Sequence, residues 1–110
     1  MKSELRLFGT PTRSRTLLAV ALLGETYPRE LARVASVPLV SVQRIINDLD
    51  RQNVVATRLR GTQREVRLNP SYFAYVQLRE LLLRLAPAAP DIVVNVESLR
   101  RRPRRFAKEL

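Results

Sequence analysis

Between positions 41 and 47 stand Ser41, Gln43, Arg44 and Asn47. Their shared chemistry is directional hydrogen bonding. An arginine fork pairs bidentately with a guanine edge, and Gln or Asn pairs the same way with adenine. Val42, Ile45, Ile46 and Leu49 interleave them at i, i+3, i+4 and i+7. That spacing predicts a helix with these four buried and Val40, Ser41, Gln43, Arg44 and Asn47 facing outward. An ordinary solvated helix face carries the same polar types. The second cluster is Arg58, Arg60, Arg64 and Arg67 around Gly61 and Thr62. Four cations on one short hairpin repel each other unless an anion lies nearby. Strand alternation prevents all four from facing one way. Arg60, Arg64 and Thr62, with Arg58 behind them, are the expected grip on phosphate.

The charge agrees with a polyanionic partner. The chain has 110 residues, 20 Lys+Arg and 10 Asp+Glu, a formal net charge of +10. Such an excess attracts polyanions and speeds their encounter. Only Lys2 and Lys108 are lysines; the other cations are arginines, whose planar fork matches phosphate and base edges. A GC-rich coding bias favours arginine equally well.

Other chemistries lack their residues. The chain has no Cys and no His. Thiol redox chemistry, the usual zinc sites and Ser-His-Asp or Cys-His catalysis are therefore without ligands or nucleophile-base pairs. Glu25, Glu30, Asp48 and Asp50 are scattered, and three glycines build no phosphate loop. The reading is a non-enzyme with no cofactor and no metal. The longest apolar run, 17–23, is far short of the ~20 residues that span a membrane. The first residues lack the apolar core of a signal peptide. The expected location is the cytoplasm, in association with the nucleoid.

These residues need elements to hold them. Leu5, Leu7 and Phe8 form an apolar arm. Thr10-Pro11 reads as a helix start, and Gly24 as its stop. A second helix begins at Pro28 with Glu30 in its first turn. A tight turn over 35–38 leads to the third helix, about 39–52. Strands follow at 54–59 and 65–68, joined by a turn over 60–63. A leucine-rich fourth helix covers about 72–85. Pro87 to Pro90 mark a break, with a possible fifth helix near 92–101. The domain expectation is 1–86 for the body and 87–110 for a linker and basic tail.

At residues 28–68 the pattern becomes specific enough to name. Pro-Arg-Glu-Leu-Ala-Arg-Val-Ala at 28–35 resembles the first helix of the reading motif in ArsR-type and MarR-type repressors. Residues 41–55, Ser-Val-Gln-Arg-Ile-Ile-Asn-Asp-Leu-Asp-Arg-Gln-Asn-Val-Val, resemble their recognition helix and the start of the wing. Residues 60–70 resemble the wing and its exit. Leu-Phe-Gly-Thr-Pro-Thr-Arg at 7–13 is similar to a subgroup that can be fused to nucleotidyltransferases. The resemblance covers residues 7–85. It implies a mainly α fold with a small β-hairpin, a winged helix-turn-helix with an additional C-terminal dimerisation helix. In that architecture the third helix enters the major groove and the hairpin flanks it. Two positions depart from the pattern: Asn53 stands for a frequent Gly, and Pro38 for a capping Ser. The metal-sensing Cys and His of many ArsR-type proteins have no counterpart.

The resemblance and the residues together imply a DNA-binding repressor or autoregulator on a palindromic operator, with double-stranded DNA as partner. Phe73, Val76, Leu78, Leu81, Leu82 and Leu85 on the fourth helix are expected in a homodimer interface, unless that helix completes the monomer core. Arg13 and Arg15 either touch phosphate or are plain surface residues. The tail, Arg100 to Arg105, has three readings: extra phosphate contacts, a solvated end, or, through Ile92, Val93, Val94, Val96 and Leu99, a helix across the dimer. Two other functions remain open: a protein-interaction adaptor, with a partner protein or effector, and a non-specific nucleic-acid binder driven by the tail.

Overall fold

The computed structural model describes residues 6–101. Helix α1 (Pro11–Leu23) starts where Thr10 accepts the Arg13 N–H on its hydroxyl at 3.1 Å, with Pro11 in the first turn. Leu17, Leu18, Ala19, Val20 and Ala21 are consecutive and all buried. A helix buried on every side must have neighbours on every side. Those neighbours are α2 (Pro28–Ala35), α3 (Leu39–Arg51), α4 (Tyr75–Arg84) and α5 (Pro90–Arg101), each packed against α1.

The turn between α2 and α3 bends at Ser36, which takes a left-handed conformation (φ 57°). The Val37 N–H reaches back to the Ala32 carbonyl at 3.0 Å. Pro38 stands at the N-cap of α3 and makes no side-chain cap, so this end of the helix has no capping hydroxyl. It ends through Asn53 (φ 65°), whose N–H bonds the Asp50 carbonyl at 3.0 Å, while the Val54 N–H bonds that of Leu49 at 2.9 Å. This pair of reversed bonds closes the helix and turns the chain into the hairpin.

Strands β1 (Val55–Arg60) and β2 (Gln63–Leu68) pair antiparallel, with Val55 opposite Leu68 and Arg60 opposite Gln63. The connection is therefore two residues, Gly61 and Thr62, shorter than the turn over 60–63 expected from sequence. Gly61 supplies the positive φ (63°) that a tight hairpin turn demands. Thr26, before α2, adds a third edge: it exchanges both backbone bonds with Val66, at 2.9 and 2.7 Å. Val55, Val66 and Leu68 bury one face of the hairpin in the core.

The mainly helical fold with one small hairpin matches the sequence reading; its ends differ. The fourth helix starts at Tyr75 rather than 72, because residues 70–74 form turns. A 3-10 turn (Ala86–Ala88) occupies the expected break. Beyond it α5 returns to the same core, with Ile92 and Val96 buried. These two side chains lie inside the chain's own core and so do not reach across a dimer. Asn95 donates to the Val34 carbonyl at 2.9 Å, and Arg100 to that of Leu22 at 2.8 Å. Phe8 of the arm packs on the core, and its N–H bonds the Ser14 hydroxyl at 3.1 Å. Leu5 and the tail residues Arg102, Arg104 and Arg105 lie outside the described residues. Among the described residues, no helix is long and apolar enough to cross a membrane.

Asn53 carries a testable consequence. A side chain with no local polar group pays about 1–2 kcal/mol in the left-handed region, whereas Gly pays none. Asn53→Ala is expected to lower the urea midpoint and Asn53→Gly to leave it unchanged or raise it. Equal midpoints for the two variants would contradict this account of the turn.

Candidate nucleic-acid interface

The outer face of α3 is set by its inner one. Val42, Ile46 and Leu49 are buried and Ile45 packs half-buried beside them. One turn of helix then leaves Val40, Gln43, Arg44 and Asn47 exposed, with Ser41 at the margin. All five residues expected on this face are on it or at its edge. Val40 is 64% exposed, an apolar side chain in an otherwise polar strip. Gln43 and Arg44 have no side-chain hydrogen bond or ion pair among the described residues. The Arg44 guanidinium therefore keeps all five donors available.

A cleft of about 570 Å³ runs between α3, the start of α2 and the tip of the hairpin. Gln43 and Asn47 line it from α3, Thr62 and Arg64 from the hairpin, Arg29 from α2 and Tyr27 from the residue before it. The cleft thus joins part of each cluster that the sequence singled out, Gln43 and Asn47 with Thr62 and Arg64, and adds Arg29, which sequence reasoning missed. Its only signal was position: it lies in the first turn of a helix that begins at the sheet edge.

The hairpin arginines are not equivalent. Directly paired residues share a face, and Arg64 sits opposite Leu59 while Arg60 sits opposite Gln63. Arg60 and Arg64 therefore point to opposite sides, which corrects the expectation that both grip one phosphate surface. Arg64 turns toward α3. Its Nη1 donates to Asn47 Oδ1 at 2.7 Å and its Nη2 lies 3.6 Å from Asp50 Oδ2. Thr57, two strand positions before Leu59 on the same face, donates to Asp50 at 3.0 Å. Arg58 and Arg60 turn the other way and share Glu65: Arg58 Nε donates to Oε1 at 2.7 Å, Arg60 Nη1 to Oε2 at 3.0 Å. The anion that this cluster required is thus in the chain itself. Glu65 stands opposite Arg58 in the hairpin register, a pairing legible once the turn length is known.

Arg13 and Arg15 follow neither reading offered for them. Arg13 pairs with Asp48 of α3 at 2.8 Å. Arg15 donates to the Ala35 carbonyl at 2.9 Å and pairs with Asp91 of α5. Both are internal braces. The expected interface on α4 also divides. Leu82 is fully buried and belongs to the core, because its position on α4 faces α1; it cannot meet a partner. Leu78 and Leu85 pack half-buried on that core. Val76 and Leu81 remain exposed on α4, at 56% and 41%, and so does Phe73 at 90%, which lies in the turn before α4 and not on the helix as expected.

Compared with protein families, curated proteins and solved structures, the chain gives no match. The arrangement itself offers cations, amides and a cleft. Among the described residues no group of three or more acidic side chains is placed to hold a metal.

The ion pairs have a pH signature. The hydrogen bond from Arg13 holds Asp48 below the usual carboxylate range; Arg58, then Arg60, does so for Glu65, and Arg15 for Asp91, each against an opposing burial effect. Between the folded and unfolded values the unfolded chain binds more protons. This part of the stability is therefore complete above the unfolded value near 4 and is lost as pH falls through the lowered folded values. Urea midpoints are expected to hold from neutral pH to about 5 and to drop below about 4. Glu65→Gln is expected to shrink that drop. A midpoint independent of pH across this window would refute the assignment.

Proposed function

We propose that the chain is a winged helix-turn-helix protein that binds double-stranded DNA sequence-specifically and acts as a transcriptional repressor or autoregulator. The observation that carries this reading is the outer face of α3. Gln43 and Arg44 stand exposed and unpaired there, and Gln43 with Asn47 lines a cleft whose opposite wall is the hairpin tip. In this reading α2 and α3 are the helix-turn-helix, α3 is the recognition helix, and the hairpin with the Thr26 edge is the wing. The order of elements and the resemblance to ArsR-type and MarR-type repressors support it.

Affinity comes mostly from arginine–phosphate contacts and selectivity from base-edge contacts. Arg44 pairs with a guanine and Gln43 with an adjacent base. Val40 meets a thymine methyl or the sugar wall. A second copy covers Phe73, Val76 and Leu81, and the dimer reads a palindrome with half-sites about one helical turn apart. The net charge of +10 favours DNA over the adaptor reading, which has no use for a cationic hairpin.

Two measurements test it. In a selection from randomised duplexes, wild type is expected to enrich a half-site, and its affinity to fall steeply with salt. Arg44→Ala is expected to cost about 1–3 kcal/mol on the enriched site and to relax preference at one base pair. Unchanged affinity and selectivity in that variant would remove α3 as the reading element. In sedimentation, Val76→Glu is expected to convert a dimer to a monomer with the fold intact. A monomeric wild type would instead exclude the α4 interface.

A further inference from the structure

Arg64 is the one hairpin arginine tied to α3, and its geometry differs from that of the others. Its side chain is 28% exposed, against 60% and 59% for Arg58 and Arg60. Its two terminal nitrogens reach two acceptors one turn apart on α3: Asn47 Oδ1 at 2.7 Å and Asp50 Oδ2 at 3.6 Å. The Thr57–Asp50 hydrogen bond, at 3.0 Å, fixes the second of these from the same hairpin face. Arginine only donates, so the Asn47 atom that faces it must be the oxygen. The amide nitrogen of Asn47 is thereby left free of Arg64, on a residue that lines the cleft.

The geometry points to Arg64 as a positioning residue that acts through Asn47, in place of the phosphate contact its sequence context suggests. An unheld asparagine amide flips between two orientations that exchange donor and acceptor. Each orientation suits a different base edge, so a flipping amide reads poorly. Arg64 removes one orientation. Asp50 meanwhile offsets the charge that would draw Arg64 to a phosphate. The planar fork is needed, since one guanidinium must satisfy two acceptors at once; an ammonium is a point charge on a flexible stem. This inference rests on the proposal that α3 reads DNA.

The test compares Arg64→Lys, Arg64→Met, Asn47→Ala and the Asn47→Ala/Arg64→Met double variant with wild type. Each is used as the full chain against a randomised duplex library and then, by titration with salt, against the enriched duplex. Arg64→Lys keeps the charge and guards against a folding defect. The expected result is loss of discrimination, about tenfold, at a single base pair in both Arg64 variants. The same base pair loses discrimination in Asn47→Ala, and the double variant is no worse than Asn47→Ala. The salt slope stays at its wild-type value. A phosphate role predicts the reverse: Arg64→Lys behaves as wild type, while Arg64→Met keeps the base preference and lowers the salt slope by about 1. That pattern, or additive losses in the double variant, overturns the inference and leaves DNA reading by α3 intact. Failure of wild type to bind any duplex at low salt overturns both.

Discussion

Burial of α1 on all sides is the constraint from which the rest of the arrangement follows. Five consecutive apolar residues, Leu17 to Ala21, cannot be shielded by one neighbour. They are shielded by four helices and strand β2, each of which turns apolar residues inward to do so. For α3 this inward turn is made by Val42, Ile46 and Leu49. The outward presentation of Gln43 and Arg44 is its geometric complement, since residues three or four apart share a face and those between do not. Even α5, reached across a proline-rich break, is recruited to this shell through Ile92 and Val96. A chain of this size has little apolar surface to spare, and a terminal helix that covers α1 adds to a modest core.

Electrostatics then sorts the arginines. An excess of cations on so short a chain would oppose folding if all of them faced solvent unpaired. Four carboxylates pair with arginines where elements meet. Asp48 joins α3 to α1 through Arg13, Asp91 joins α5 to α1 through Arg15, Asp50 joins α3 to the hairpin through Arg64, and Glu65 braces the hairpin within itself. Exposed pairs of this kind each contribute little to stability. Their larger effect is to fix orientation. Arg44 on α3 and Arg29 at the cleft are among the arginines that carry no ion pair among the described residues, and both lie on the surface proposed to meet DNA.

Much of the fold was legible before any coordinates. The stripe of α3, the Thr10-Pro11 start of α1, the left-handed Asn53 and the hairpin around Gly61 are local matters. Each depends on neighbours a few residues away and on the intrinsic conformational costs of Asn, Gly and Pro. The outward set Val40, Gln43, Arg44 and Asn47 was legible for the same reason: one period decides both faces of a helix.

Other features were decided only in three dimensions. Leu82 and Leu81 are adjacent leucines on one helix, and only the position of α1 makes the first core and the second surface. Arg60 and Arg64 look like equal members of one cluster, but a two-residue turn sets a register that sends them to opposite faces. The partners of Arg13, Arg15 and Arg64 lie on other elements, and an ion pair between distant segments leaves no periodic trace in the chain. The sequence by itself determined which residues each element turns outward, because that follows from local geometry. The tertiary structure decided which of those are free to bind, because that depends on what else the fold has placed within reach.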